Sequence, residues 1–210
     1  MLKRWASSMT SHAAAGQLQQ RPTAREGGVF KREWFSNPVK RVPYEKLNLV
    51  RAWDLASASD PSNDPDCTVG LLMGRDRDTH MLYVIDVICG RFSPGERQQK
   101  IISSAVRDGT VCYIRIPEDP GSAGKFVARH LAGLLQGYRV SSERELGSPF
   151  VAQCEHGFVK LVEAPWNRSF VDELCAFPNG AHDDQVDAAS AAFRALVRRP
   201  HFSMTGVSFG

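Results

Sequence analysis

The 210-residue sequence lacks several features that would point to particular classes of protein. It has no apolar run long enough to span a membrane, and residues 1–15 lack the apolar core of a signal peptide. Its five cysteines are scattered, and no pair has zinc-knuckle spacing. We therefore predict buried, reduced thiols and a cytosolic location. The net charge of only +3 does not by itself indicate a polyanionic partner.

The composition is that of a globular protein with one domain and an appendage. It is 42% hydrophobic and 23% charged, which is typical of soluble domains. Residues 1–47 are polar and rich in Gln, Arg, Pro and Gly, so we predict a linker or tail. Within it, Trp34 and Phe35 are expected to pack on the domain. A folded domain is predicted over 48–200, with a short tail over 201–210.

The order of apolar segments predicts an α/β fold. Three strands are predicted first, over 49–54, 67–73 and 80–88. A short polar turn joins the second and third, which favours an antiparallel meander. A helix capped by Ser93 leads to a fourth strand over 111–116, and such a crossover places that strand parallel to the first. The prediction is a mixed sheet, with three antiparallel strands and then parallel strands, flanked by helices.

The stretch from His182 to Ala189 is the most informative part of the chain. It contains three aspartates: Asp183, Asp184 and Asp187. Apolar residues at helical spacing form one stripe and predict a helix that ends before Pro200: Val186, Ala189, Phe193, Leu196 and Val197. One or two acids at a helix start are ordinary, but three acids beside an apolar stripe repel one another unless a cation joins them. By helical phase, Asp183 should lie closer to the stripe than Asp184.

Other acids follow the predicted strands that are expected to be neighbours. Asp54 ends the first strand, and Glu118 and Asp119 follow the fourth. Each has a structural explanation by itself, because Asp54 could cap a turn and the other two precede Pro-Gly. Ligand sites of α/β sheets lie beyond the carboxyl ends of strands, so these acids should meet the terminal helix. Such a set suits two-metal phosphodiester hydrolysis with Mg²⁺ or Mn²⁺.

Four segments carry a resemblance to a known family. They are residues 17–35, RAWDLA at 51–56, PEDPGSAGK at 117–125 and FVDELCAFPNGAHDDQVDA at 170–188. Together they resemble the C-terminal nuclease domain of phage and prophage large terminase subunits, which has an RNase H/RuvC-like fold. The segments span nearly the whole chain, and the last two are quite specific.

The resemblance implies a Mg²⁺- or Mn²⁺-dependent endonuclease that cuts concatemeric double-stranded viral DNA during genome packaging, with two ions when DNA is bound. It makes Asp54 the first metal ligand, expected to bridge both ions. It makes Asp119 the acid of the second motif, with Glu118 in reserve. The third motif supplies, in order of preference, Asp184, Asp183 and Asp187.

DNA contacts are expected at backbone phosphates, because a packaging nuclease must act on many sequences. The candidates, each of which could also be an ordinary surface charge, are Lys125, Arg129, Arg144, Lys160 and Arg168. The family implies further partners: the terminase ATPase domain, the small terminase subunit and the portal protein, with no membrane. The loop pattern G-x-x-x-x-G-K-[ST] is absent, so we expect no ATP hydrolysis and either an excised domain or a truncated prophage product.

Two other interpretations remain open. A Holliday-junction resolvase or another RNase H-like nuclease would prefer junctions or hybrids to linear duplex. A non-catalytic prophage remnant that serves as a portal-docking module would not cleave DNA.

Overall fold

The computed structural model describes residues 28–56, 67–118, 122–143 and 150–197. The strands are β1 (Leu47–Asp54), β2 (Thr68–Asp76), β3 (Leu82–Gly90), β4 (Tyr113–Pro117), β5 (Arg139–Glu143) and β6 (Val159–Leu161). The helices are α1 (Pro94–Asp108), α2 (Ser122–Leu134), α3 (Phe150–Glu155), α4 (Asn167–Ala176) and α5 (Asp184–Val197). Two 3-10 turns, Arg32–Phe35 and Tyr44–Lys46, precede β1.

The six strands form one mixed sheet in the order β5-β4-β1-β2-β3-β6. The β1–β2 and β2–β3 pairs are antiparallel, whereas β1–β4, β4–β5 and β3–β6 are parallel. The predicted fold class is confirmed. A turn as short as the one between β2 and β3 can join only antiparallel strands, which explains the meander. The chain then returns through α1, which allows β4 to lie parallel to β1.

Alternation along β1 divides the core into two layers. Val50 and Ala52 lie in a cluster with the buried residues of α5. Trp53, between Ala52 and Asp54, lies on the other face with Ile101 of α1. Because successive strand residues point to opposite faces, Asp54 belongs to the α5 face of the sheet. Its partner across the β1–β2 pair, Val69, is in the α5-side cluster.

The cap predicted for α1 is present. The Ser93 hydroxyl accepts the Glu96 backbone N–H at 3.4 Å, and the Glu96 carboxylate accepts the Ser93 backbone N–H at 2.9 Å. This reciprocal pair satisfies two donors that the first turn leaves without helical partners. The capping pair fixes the start of α1, which follows the end of β3.

The segment before β1 packs on the α5 side of the sheet. Phe30 and Phe35 are buried in that cluster, and Trp34 packs against it. The Val39 backbone N–H donates to the Leu161 carbonyl at 2.8 Å, which extends the edge of β6. The packing expected of Trp34 and Phe35 is therefore observed.

Two expectations about burial are wrong. All five cysteines are free, but only Cys112 and Cys154 are buried, and Cys89 is exposed. Helix α5 buries the predicted stripe as far as Leu196 and further residues besides, because its small alanines let it pack closely against β1 and β2. Val197, assigned to the stripe, is exposed at the end of the helix. None of the helices in the described ranges combines the length and hydropathy needed to cross a membrane.

Candidate metal site

The carboxyl ends of β1 and β4 meet, as the sequence predicts. In the parallel register Val50 is opposite Tyr113 and Ala52 is opposite Arg115. Continuing this register sets Asp54 level with Pro117, and Glu118 follows immediately on the adjacent strand. Neighbouring strands lie about 4.8 Å apart, so these two acids share one end of the sheet. Asp119 lies outside the described residues.

Asp184 joins this end of the sheet from the first residue of α5. It is buried, with 6% of its surface exposed. Its Oδ2 accepts the backbone N–H of Cys67 at 3.0 Å. Cys67 stands two residues before Val69, the partner of Asp54, a separation of roughly 7 Å along a strand. Asp54 and Asp184 therefore lie on the same face and at the same end of the sheet, which we call the carboxylate edge.

The structure reverses the expected orientations of the two adjacent aspartates. Asp183 is exposed, whereas Asp184 is buried. The orientation predicted from helical phase was wrong because α5 begins at Asp184, so Asp183 precedes the helix and does not follow its periodicity. The Asp183 carbonyl accepts the first helical bond, from Asp187 N–H at 2.9 Å. Asp187 is half-buried one turn further on.

Glu173 is a residue of this site that sequence reasoning missed. Its Oε1 accepts the backbone N–H of Gln185 at 2.6 Å, and its Oε2 accepts the side-chain amide of the same residue. Gln185 is buried and follows Asp184 directly. The carboxylate thus holds the first turn of α5 from α4, at the helix end that favours negative charge. Its only sequence signal was membership of the 170–188 motif.

Arg115 is a second missed residue. It is buried, with 3% of its surface exposed, and lies beside Ala52 on the α5 face of the sheet. It stands two residues before Pro117, so its guanidinium belongs to the side of the sheet where the carboxylates gather. A positive charge close to several carboxylates reduces their mutual repulsion. An arginine inside the apolar strand YIRIP was the signal that could have found it.

Burial and the acids of the carboxylate edge raise the pKa of a neighbouring side chain, the thiol of Cys67. Burial has the largest effect, and the charges of Asp184 and Glu173 raise this pKa further. The neighbouring Cys89 thiol on β3 acts in the opposite direction and lowers the pKa of Cys67. His182 Nδ1 lies 3.9 Å from Asp184 Oδ2. Asp184 Oδ2 is therefore bonded by a backbone N–H and lies close to an imidazole nitrogen.

The donor chemistry of this edge fits a hard divalent cation. Its acids offer carboxylate oxygens, the ligands that Mg²⁺ and Mn²⁺ prefer. Within the described ranges, no three His, Cys, Asp or Glu side chains are grouped closely enough to hold a metal ion. Asp54 and Asp184 are brought to one edge, and Asp119, the expected third ligand, is outside those ranges.

The predicted DNA contacts are placed in different parts of the molecule. Lys125 and Arg129 are exposed on α2 and, four residues apart, share one side of that helix. Arg168 is exposed on α4, 3.9 Å from the Asp172 carboxylate. Lys160 pairs with Tyr83 near the start of β3, about 20 Å along the strand direction from the carboxylate edge. Arg144 lies outside the described residues.

The sheet order and the helix that closes one face define an RNase H-like fold. Residues 51–196 match the family described as the terminase RNaseH-like domain, and the chain belongs to this family. No curated protein matches the chain in sequence.

Solved structures agree on the fold. The nuclease domain of the P22 large terminase is 14% identical, with a TM-score of 0.55, covering 83% of this chain and 95% of that one. The large terminase nuclease of the thermophilic phage G20c is 15% identical, with a TM-score of 0.51, covering 80% and 97%. The human cytomegalovirus terminase nuclease domain, manganese-soaked with an inhibitor bound, is 11% identical, with a TM-score of 0.56, covering 80% and 95%.

Proposed function

We propose that this chain is a metal-dependent endonuclease that cleaves concatemeric double-stranded viral DNA during genome packaging. One observation carries the proposal: the buried Asp184 carboxylate is fixed to the start of β2, beside the residue that pairs with Asp54. Two acids that are 130 positions apart in the sequence thereby share one edge of an RNase H-like sheet. Membership of a terminase nuclease family supports the same reaction.

The ions would be Mg²⁺ or Mn²⁺, held by Asp54, Asp119 and Asp184. Divalent ions in such a site activate the attacking water and stabilise the leaving oxygen. Asp183, Glu118 and Asp187 remain reserve ligands, with the exposure of Asp183 making it the weaker choice. The manganese in the cytomegalovirus relative supports the choice of ion.

The protein residues around these ligands have supporting roles. Glu173 fixes the first turn of α5 through Gln185, and so limits how far Asp184 can move. Arg115 offsets the charge that the carboxylates accumulate before a cation binds. Carboxylates held in this way need little reorganisation when metal and DNA arrive.

DNA would be held through its phosphates by Lys125, Arg129 and Arg168, with Arg144 as a further candidate. Lys160 would contact the duplex well away from the cut, given its place at the other end of the sheet. Partners proposed from the family are the terminase ATPase domain, the small terminase subunit and the portal protein, in the host cytosol.

Cleavage of supercoiled plasmid in Mg²⁺ or Mn²⁺ tests the proposal. The wild-type chain should nick and linearise the plasmid, and Asp54→Asn or Asp184→Asn should lower the rate by at least about 100-fold. Asp183→Asn tests the ranking of the ligands: it removes an adjacent but exposed charge and should retain most of the activity, whereas a comparable loss would place Asp183 among the ligands. A wild-type chain that cuts nothing would support a docking remnant, and preference for four-way junctions would support a resolvase.

A further inference from the structure

Helix α2 presents an aromatic and basic face to solvent. Phe126 is 72% exposed, the largest exposure among the large hydrophobic residues in the described ranges. Its ring stacks on the imidazole of His130, with centroids 6.4 Å apart and planes inclined by 10°. The other side of the helix is buried through Ala128 and Leu131. Val127 and Leu134 on the same helix are 38% and 39% exposed, so exposed apolar surface is grouped on α2, and such grouping marks interaction sites.

The charged residues of α2 itself are all basic. The sequence of α2 contains Lys125, Arg129 and His130 but no Asp or Glu. The whole chain, in contrast, has 26 basic and 23 acidic residues, so this face departs from the balance elsewhere. A helix face with cations beside the ring and no acids is complementary to a polyanion.

Helix α2 packs on the α1 side of the sheet, opposite α5, but it begins five residues after β4 ends, so its first turn lies at the same end of the sheet as Asp54. His130 Nε2 is 3.4 Å from Gln98 Oε1 on α1. The neighbouring Arg97 donates from Nη1 to the carbonyl of Ala56 at 2.9 Å, two residues after Asp54. A nucleic acid that crosses this end of the sheet from the α5 side would therefore meet the first turn of α2, which carries Lys125 and Phe126.

We propose that Phe126 stacks on an unpaired DNA base while Lys125 and Arg129 hold the flanking phosphates. The inference rests on the proposed nuclease function and adds the class of DNA that the enzyme prefers: duplex with an open or frayed segment. Every base has a π-face, so stacking suits an enzyme that tolerates many sequences. The bases of an intact duplex are already stacked on one another and offer Phe126 no free face.

Binding experiments on the full 210-residue chain test this inference. Fluorescence anisotropy without divalent metal would compare a single strand, a forked duplex and a blunt duplex of matched sequence. Phe126→Ala should weaken binding to the single strand and the fork by about 5- to 100-fold, the range for one stacked base. Affinity for the blunt duplex should change by less than about twofold, because phosphate contacts dominate there.

Two further variants separate stacking from general apolar contact. Phe126→Trp should retain the affinity for open DNA, and Phe126→Leu should lose it as Phe126→Ala does. Val106→Ala is the matched control, since Val106 is a 66% exposed apolar residue on α1 and should have no effect. All variants should unfold at the wild-type temperature, because Phe126 is outside the core.

The inference is overturned if Phe126→Ala binds all three DNAs as tightly as wild type, which would assign this face to a protein partner. Equal losses on open and blunt DNA, or wild-type affinity in Phe126→Leu, would also overturn it. These outcomes are independent of the plasmid assay. A chain that binds open DNA through Phe126 but cuts nothing would refute the nuclease and leave the stacking contact intact.

Discussion

Replacing Arg51 by methionine should destabilise the domain severely. The Arg51 side chain is fully buried, with 0% of its surface exposed. Its Nε and Nη2 donate to the two oxygens of Asp108, at 2.7 and 3.0 Å. Its Nη1 donates to Asp86 at 2.8 Å and to the Gly70 carbonyl at 3.0 Å. This one side chain therefore ties the end of α1 to β1, β2 and β3.

The cost comes mainly from what the substitution leaves behind. The Asp108 side chain is only 3% exposed, so Arg51→Met would leave a buried carboxylate without its bidentate partner. Removing one partner of a buried ion pair costs about 3–5 kcal/mol. At about 2–4 °C per kcal/mol for a domain of this size, the melting temperature should fall by about 6–20 °C. Urea unfolding followed by tryptophan fluorescence would measure the free energy.

Arg107→Met is the matched control in the same network. Arg107 donates to Asp86 at 2.7 Å, but its side chain is 58% exposed. An exposed ion pair contributes only about 0–1 kcal/mol, so this variant should remain near wild-type stability. Adding Asp108→Leu to Arg51→Met should recover part of the loss, because it removes the unpaired acid. Equal effects of Arg51→Met and Arg107→Met, or a loss below about 1 kcal/mol, would refute the reasoning.

Three further predictions concern packing, pH and the site. A Cβ at Gly70 would lie 2.6 Å from the buried Trp53 ring, so Gly70→Ala should cost about 1–3 kcal/mol in urea unfolding, whereas Gly133→Ala, with open space, should not destabilise. Hydrogen bonds, first from the Thr79 N–H, lower the pKa of Asp76. Its contribution is therefore present above about pH 4 and lost as pH falls through the lowered pKa, so Asp76→Asn should destabilise at pH 7 but not in strong acid. Glu173→Gln should slow metal-dependent plasmid cleavage by about 10- to 100-fold without unfolding the domain, and unchanged cleavage would remove Glu173 from the site.

The arrangement of β1 to β4 could be predicted because local signals determine it, whereas the positions of β5 and β6 at the two edges of the sheet were not predicted. A polar turn between two short strands forces an antiparallel pair, and a capped helix after β3 requires a crossover. Asp54 could be placed at an edge for the same reason, since it ends a strand. These inferences need only neighbouring residues, which the sequence displays directly.

The orientation of Asp184 and the partners of the charged residues could not be predicted in this way. Helix α5 is rich in alanine, and small residues on every side of a helix do not indicate which side is buried. Helical phase therefore favoured Asp183 as the buried acid, although the family resemblance ranked Asp184 first. The Arg51–Asp108 pair joins residues that are 57 positions apart, so no local pattern marks it. Long-range packing determines which charged residues pair. For the same reason the sequence did not indicate that Arg115 belongs to the site.

Anomalous scattering from a manganese-soaked crystal of this chain tests the central claim most directly. A peak at the carboxylate edge, within about 2.2 Å of oxygens of Asp54 and Asp184, is the predicted result. Its absence in Asp184→Asn crystals soaked identically would assign the ligand. Manganese bound elsewhere, in crystals where both carboxylates are ordered and accessible, would contradict the account, above all if Asp54→Asn still cuts plasmid.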